Sequence, residues 1–293
     1  MANTITLKRR IGSVKNTRQI TKAMELVAAS KMRRAQENAV HGRAYREAAY
    51  SLLTRLSSIT EVKEHPLFAE RQVKTRLYLV ITSNQGLAGA YDANILKLLT
   101  QSAKKDIAAK IVPKIIAVGK KGANFSRNLE GLELVAAYTE LGDHPSANDI
   151  RPILNTISEL FSTQTVDEVC LLYTQFKSNL VQIATPLQVL PARFEPTAET
   201  KNSEADDINN VTFEPSVEAV LDNAAIRLIE VQIWQAILES FASEQSMRMM
   251  AMKNATDNAS DLIDDLTLAF NTARQAAITQ ELAEITGGAE AIK

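Results

Sequence analysis

One stretch near the carboxyl end, residues 216–286, constrains the fold more than any other part of this sequence. It contains neither Gly nor Pro, and it lies between Pro215 and Gly287. Pro and Ser at its front and two Gly residues at its back are typical helix start and stop signals. The pattern predicts a single helix, roughly 105 Å long at the usual rise per residue. That is far longer than the average globular helix of about 11–12 residues.

Apolar residues repeat every seven positions along this stretch. The first series is Leu221, Leu228, Gln235, Ala242, Met249, Thr256, Ile263, Phe270 and Ala277. The second, three positions on, is Ala224, Val231, Leu238, Gln245, Met252, Ala259, Leu266 and Ala273. Sustained heptads of this kind indicate a coiled coil, which needs a partner helix. A single helix held by i,i+4 ion pairs is not favoured, because the part from Leu221 to Phe241 carries too few charges.

Residues 4–60 form a second long helical candidate, since the first Pro of the chain is Pro66. One heptad series reads Leu7, Val14, Thr21, Ala28, Ala35, Gly42, Ala49 and Leu56, and its companion reads Arg10, Thr17, Met24, Lys31, Asn38, Tyr45, Leu52 and Ile59. Small residues in such a seam allow close approach of another helix. We therefore expect the two terminal helices to pair as one antiparallel coiled coil, with Met24, Ala28, Met249 and Met252 in its seam.

The connection between the two helices is predicted to be an inserted α/β domain. Strand-like runs occupy 77–82, 111–118, 166–176 and 181–190, and helix-like runs occupy 92–109 and 148–161. Strands that alternate with helices suggest a mostly parallel, Rossmann-like sheet, and Pro186 marks its strand as an edge or bulged one. The predicted boundaries are 1–65 for the first coil helix, 75–193 for the α/β domain, 194–212 for an acidic linker and 213–293 for the second coil helix.

Composition restricts the class of protein. The chain has 293 residues, a net charge of −1 and one cysteine, Cys170. A single cysteine excludes an internal disulfide and a Cys-rich metal site. No stretch approaches 18 uncharged apolar residues, so we expect no membrane span, and the first residues lack the apolar region of a secretory signal.

The candidate sites are weak as catalytic or cofactor sites. The loop from Ser83 to Ala90 follows a strand and precedes a helix, where nucleotide folds bind phosphate, yet it matches neither GxGxxG nor GxxxxGK[ST]. We interpret it as a tight strand-to-helix turn, and the segment from Gly119 to Gly122 as a solvated turn. The three histidines are scattered and expected at the surface, and Asp261, Asp264 and Asp265 suit a solvated helix face. We expect no catalytic residue, no cofactor and no metal in this chain.

The charge distribution is more informative. Residues 1–50 contain eleven Lys and Arg against three Glu, a local charge of +8. A basic helix suits nucleic acid, an anionic membrane surface or an acidic protein partner. The aromatics expected of a nucleic-acid surface are limited to Tyr45 and Tyr50 before residue 60. We favour a protein partner, with a coiled-coil protein that binds nucleic acid as the alternative and a nucleotide-dependent α/β enzyme as a third hypothesis.

Four segments carry a resemblance to a known family. They are 20–33 (ITKAMELVAASKMR), 86–91 (GLAGAY), 243–258 (SEQ…MKNATDN) and 273–282 (ARQAAITQEL). In these segments the chain resembles the bacterial type of the F-type ATP synthase gamma subunit. It departs from the family in two respects. Asn84-Gln85 stands where an Asp-Arg pair is common, and the acidic segment near 199–210 is longer. The cysteine-bearing regulatory insert of chloroplast members is absent.

The resemblance implies a non-catalytic central rotor shaft, peripheral on the cytoplasmic face of the cell membrane. Its partners are then a ring of three alpha and three beta subunits, the epsilon subunit and the c-ring, without nucleic acid. Torque passes between the c-ring and the catalytic ring. The resemblance also places contacts with the stationary ring at Arg274, Gln275, Thr279 and Glu281, and it directs a basic face towards acidic beta-subunit loops. That face is formed by Lys22, Lys31, Arg33 and Arg34.

Overall fold

The computed structural model describes residues 2–56, 67–69, 71–129, 131–142, 145, 147–192 and 217–291. In the long terminal helices, side chains are described for residues 4–38 and 225–289. In chain order the elements are α1 (Ala2–Leu56), β1 (Thr75–Ile81), α2 (Tyr91–Ala108), β2 (Val112–Val118), α3 (Lys120–Arg127), β3 (Glu133–Tyr138), α4 (Ala147–Ser162), β4 (Glu168–Phe176), β5 (Gln182–Leu190) and α5 (Val217–Ala291).

The five strands form one sheet in the order β3-β2-β1-β4-β5. The first four are parallel, and β5 pairs antiparallel with β4. This order is that of a doubly wound, Rossmann-like sheet whose strand order reverses beside β1. Pro186 lies in β5 opposite Leu172, on an edge strand as predicted, where a residue without an N–H leaves one inter-strand bond unmade at the least cost.

Each face of the sheet is covered by a different pair of helices. Alternate residues of β1 point to opposite faces, as strand geometry requires. Leu77, Leu79 and Ile81 pack with α4 and α5, whereas Tyr78 and Val80 pack with α2 and α3. Burial on both faces explains why β1 reads as an uninterrupted apolar run rather than as an alternating pattern.

The fold class is confirmed, but two elements of the sheet domain were missed. The predicted strands and helices are all present within a few residues of their expected bounds. The segment from Gly119 to Gly122, interpreted as a solvated turn, instead starts α3. The strand β3 at the opposite edge of the sheet was not predicted either.

The chain forms two compact units, and the coiled-coil prediction is seen most clearly in the first, residues 1–29 with 248–293. There the two terminal helices pack together, and the Thr256 hydroxyl donates to Thr21 Oγ1 at 2.8 Å. Both threonines belong to the predicted heptad series. In α5 every member of both heptad series between residues 249 and 277 is buried or half-buried.

The companion series of α1 is wrong at its start. Arg10 and Thr17 are exposed, whereas Ile11 is half-buried beside Leu7 and Val14. At the start of α1 the inward position is therefore four residues on from the first series, at Ile11, rather than three, whereas Met24 and Lys31 of the companion series are half-buried. The choice between i+3 and i+4 is decided by which side chain is apolar, and at this turn it is Ile11.

The predicted helix stop at Gly287-Gly288 is also wrong, because α5 continues to Ala291. Glycine permits the left-handed conformation that ends many helices but does not enforce it. A Cβ at either glycine would meet nothing within 4 Å, so no packing contact requires the chain to turn there. The acidic linker 194–212 and the side chains of all three histidines lie outside the described part of the chain.

Candidate functional site

The loop after β1 is held by a network of side chains. Asp92, in the first turn of α2, accepts from the Ser83 N–H at 2.9 Å and from the Ser83 hydroxyl at 2.6 Å. The Asn84 side chain accepts from the Lys120 N–H at 3.0 Å and donates to the Leu141 carbonyl at 3.3 Å. Asn84, one of the two residues that depart from the family pattern, therefore connects three loops at the carboxyl edge of the sheet without an ion pair.

The N-terminus of α3 offers no free donors to a phosphate. Its first N–H groups, those of Lys120, Lys121, Gly122 and Ala123, donate respectively to the Asn84 side chain, the Ser83 carbonyl, the Thr82 hydroxyl and the Gly119 carbonyl. Anion sites at helix N-termini depend on such groups being unpaired. Gly119 and Gly122 instead allow α3 to approach the end of β1 closely. A Cβ on Gly122 would lie 2.8 Å from the Thr82 hydroxyl oxygen.

A charged cluster lies between the sheet and α2. The Arg76 guanidinium pairs with Asp106 and, at 2.9 Å, with Glu168 on β4. Tyr78 also donates to Asp106, which is only 3 % exposed. Burial alone disfavours the charged guanidinium, but the hydrogen bond to Glu168 and the nearby carboxylates leave the pKa of Arg76 above its usual value.

The other titratable groups of this cluster are unreactive. Burial, followed by the bond to Asp106, raises the pKa of the Tyr78 hydroxyl. Burial raises the pKa of the Cys170 thiol to about 12. Neither of these two groups supplies an anion near neutral pH, so neither acts as a nucleophile or a general base there. The bonds of Arg76 and Tyr78 to Asp106 join α2 to the sheet.

Serine hydroxyls attach α5 to β4, an arrangement that the sequence analysis missed. Thr174 lies beyond Leu172, where the pairing of β4 with β1 ends. Its N–H donates to Ser240 Oγ at 3.0 Å, and its carbonyl accepts from the Ser243 hydroxyl at 3.1 Å. One turn on, the Ser246 hydroxyl donates to the Asn179 carbonyl at 2.9 Å. The signal in the sequence was three serines at a spacing of three residues inside an apolar helix.

Comparison with known proteins covers the full length of the chain. The family model described as ATP synthase matches residues 3–292. A protein of Heliobacterium modesticaldum named ATP synthase gamma chain is 42 % identical over 289 residues, with 98 % of each chain covered. The gamma chain of Acidithiobacillus ferrooxidans is 41 % identical over 292 residues, with both chains fully covered.

The chain belongs to the ATP synthase gamma-chain family. The central stalk of the Tetrahymena thermophila mitochondrial ATP synthase has a similar fold, with a TM-score of 0.61 and 26 % identity, over 80 % of this chain and 99 % of that one. A Euglena gracilis mitochondrial ATP synthase chain has a TM-score of 0.68 over 99 % of this chain and 95 % of that one. At 18 % identity it supports the fold alone.

The structure places the seam residues predicted from the heptads and the contact residues implied by the resemblance in different environments. Of the four seam residues, Ala28 and Met252 are buried and Met24 and Met249 are half-buried. The four residues predicted to contact the stationary ring, here called the stator-contact residues, are all exposed on α5. Within that group the Thr279 hydroxyl donates to the Gln275 carbonyl. Their contacts with a stationary ring stay predictions. The stator-contact residues are Arg274, Gln275, Thr279 and Glu281.

The basic face on α1 is less uniform than the sequence indicated. Arg33 and Arg34 are exposed, whereas Lys31 is half-buried and has an interaction within the chain. Lys22 forms an ion pair with Glu25 at 3.0 Å. Two of the four cations are therefore open to a partner, and two are already engaged.

None of the helices within the described residues combines the length and the hydrophobicity needed to cross a bilayer. In the same residues, no group of three or more His, Cys, Asp or Glu side chains gathers where it could hold a metal ion.

Proposed function

We propose that this chain is the central rotor shaft of a proton-translocating F-type ATP synthase, transmitting torque between the membrane c-ring and the catalytic ring. The observation that carries the proposal is the match to gamma chains along the whole sequence. The antiparallel coil of the two terminal helices and the inserted sheet domain supply elements suited to this role: stiff helices, and a domain with surfaces for protein partners.

The partners of the chain are the alpha and beta subunits, the epsilon subunit and the c-ring. It is a non-catalytic subunit of the rotary enzyme and belongs to a membrane-associated complex. Its location on the cytoplasmic face of the membrane is part of the proposal. So are the boundaries 1–65, 75–193, 194–212 and 213–293 for the first coil helix, the sheet domain, the linker and the second coil helix.

Contact with the stationary ring is assigned to the exposed polar face of α5. Arg274 has no ion-pair partner among the described residues, and its neighbour Gln275 is also exposed. A guanidinium is a planar fork of donors that binds carboxylates in a bidentate manner. About 100° separates successive residues around a helix, so the two side chains can reach adjacent groups of one loop.

The basic residues of α1 are assigned a weaker, guiding role. Exposed ion pairs contribute only about 0–1 kcal/mol each, so cations such as Arg33 and Arg34 can attract acidic loops without locking the shaft in one position. At ordinary salt concentrations this attraction is largely screened beyond about 8–10 Å, so it is sensitive to ionic strength. Among the described residues, no feature favours the alternative, a coiled-coil protein that binds nucleic acid.

The decisive experiment is co-purification of the tagged chain with alpha and beta subunits, followed by ATP-driven proton pumping in membrane vesicles. The double variant Arg274→Ala with Gln275→Ala should assemble normally and lower ATP turnover. A matched control is Arg151→Ala with Asn155→Ala, which removes an exposed Arg and an exposed amide from α4. Failure to co-purify would reject the rotor role, whereas equal turnover in both variants would reject only the assigned contact.

A further inference from the structure

The outer face of the sheet domain carries a concentration of positive charge that the proposed function does not use. Residues 91–128, which span α2, β2 and α3, contain eight Lys and Arg against two Asp, a local charge of +6 in a chain of net charge −1. We call the exposed cations of this segment the α2–α3 basic face. Its members are Lys97, Lys104, Lys105, Lys110, Lys120, Lys121 and Arg127.

The two acids of the segment do not offset this charge at the surface, because both are engaged inside the domain. Asp92 accepts two hydrogen bonds from Ser83, and Asp106 is buried against Arg76 and Tyr78. The eighth cation, Lys114, pairs with Glu133 at 3.1 Å. The seven cations of the basic face have no ion-pair partner among the described residues.

The cations on α2 and α3 lie on one side of the domain because both helices pack on the same face of the sheet. On α2, Ile95 and Leu99 point inward and are fully buried, whereas Lys97 and Lys104 lie on the opposite side and are exposed. On α3, Ala123 is buried and Lys121 is exposed. The helical period thus directs the apolar side chains to the sheet and the cations to solvent.

The type of cation indicates whether an acidic protein or an anionic lipid surface is the better partner for this face. Six of the seven are lysines, and between residues 91 and 128 the aromatic side chains, Tyr91 and Phe125, are buried or half-buried. Protein–protein interfaces are enriched in Arg and aromatics and depleted of Lys. Clustered lysines instead suit a diffuse attraction to anionic lipid headgroups, which needs no fixed geometry.

We infer that the α2–α3 basic face binds the surface of an anionic phospholipid membrane. The attraction acts through many weak, screened contacts, so the domain can slide along the headgroups without being held at one position. For its consequence in the complex the inference rests on the proposed function, because a chain that rotates with a membrane c-ring needs an attraction to lipid that does not oppose rotation. The binding itself is a property of the chain alone.

Flotation of the full-length chain with vesicles tests the inference. One set of vesicles contains phosphatidylcholine alone, and the other contains equal parts of phosphatidylcholine and phosphatidylglycerol. The face variant replaces four exposed lysines by Gln, namely Lys97, Lys104, Lys105 and Lys121. The matched control replaces four exposed cations of the basic helix α1 by Gln, namely Lys8, Arg9, Arg10 and Lys15.

The wild-type chain should float with the anionic vesicles only, and added salt should release it. Each lysine near an anionic surface adds to the attraction, so the face variant should lose at least about tenfold in partitioning while the control loses only a few-fold. Equal losses in the two variants, or no flotation of the wild type, would overturn the inference. So would unchanged flotation of the face variant combined with loss of binding to purified epsilon subunit, which would assign the face to an acidic protein.

Two further measurements keep the result interpretable. The single variants Lys104→Glu and Lys121→Glu should each weaken flotation, which covers the case in which the fourfold variant fails to fold. ATP hydrolysis by a soluble complex of alpha, beta and this chain needs no membrane, so the face variant should support it at the wild-type rate. A wild-type chain that failed to support hydrolysis would count against the rotor function and not against lipid binding.

Discussion

Replacing Gly119 by alanine should destabilise the sheet domain more than any other single Gly-to-Ala change there. Gly119 connects β2 to α3 with φ of 99° and ψ of 149°, a region of backbone conformation that side chains other than glycine rarely adopt. A Cβ at this position would lie 2.2 Å from the Thr82 carbonyl oxygen and 2.8 Å from its hydroxyl oxygen. The first of these atoms belongs to the backbone, so it cannot move aside as a flexible side chain would.

The cost has two parts. Holding a non-glycine residue in a sparsely populated backbone conformation costs about 1–3 kcal/mol. Forcing an added methyl group into a packed interior costs about 1–3 kcal/mol more. The free energy of unfolding should therefore fall by about 2–6 kcal/mol, a large share of the roughly 5–15 kcal/mol that stabilises a typical domain.

Urea unfolding of the full-length chain, followed by circular dichroism, measures this loss. The matched control is Gly142→Ala, because a Cβ there meets nothing within 4 Å and its φ is not in the left-handed range. The control should stay within about 0.5 kcal/mol of the wild type, as surface changes usually do. If Gly119→Ala proved as stable as the control, the close contact with Thr82 would not be what requires glycine, and the explanation of this turn would be wrong.

Three other outcomes follow from the structure. The double variant Thr21→Cys with Thr256→Cys should form a disulfide on mild oxidation, because the two hydroxyl oxygens are 2.8 Å apart; a non-reducing gel that shows no crosslink would contradict the pairing. Asn84→Ala should lower the free energy of unfolding by about 1–2 kcal/mol, because the Lys120 N–H at the start of α3 loses its side-chain acceptor; an unchanged urea midpoint would refute this. Since burial raises the pKa of Cys170 to about 12, the thiol stays protonated at neutral pH, and iodoacetamide should label it slowly in the native chain and rapidly in urea. Equal rates would show that the thiol is not protected.

The sequence was most informative where one period persists over many residues. In α5 the heptad positions from Met249 to Ala277 are all buried or half-buried, because burying a continuous seam imposes the same requirement on every turn. The strands β1, β2 and β4 were also found, since burial on both faces leaves an unbroken apolar run such as Leu77 to Ile81.

The missed elements depend on contacts distant in sequence. The helix α3 has eight residues and contains Gly122, so its intrinsic helix propensity is weak. Its position is fixed by Thr82 and Asn84, which lie almost 40 residues earlier. The strand β3 lies at the sheet edge with two alanines and little buried surface, and its partner β2 determines it more than its own composition does.

The candidate site residues also divide into those that the local sequence predicts and those that depend on distant contacts. The exposure of Arg274 and Gln275 could be anticipated, because both lie off the heptad seam. The Arg76 cluster could not, because it requires the register that places Arg76 beside Glu168 and the packing that brings Asp106 from α2. Similarly, the engagement of Lys22 by Glu25 depends on rotamers rather than on spacing alone.

The attachment of α5 to Thr174 has a mechanical consequence. Ser240 and Ser243, on one face of the helix, bind the N–H and the carbonyl of a single residue of β4. Rotating α5 about its axis by one residue, about 100°, would remove both hydroxyls and leave two buried backbone groups unpaired, at about 1–3 kcal/mol each. The helix is therefore held at one rotation about its own axis relative to the sheet. A twist applied to this part of α5 reaches the sheet directly and is not lost as slippage between them.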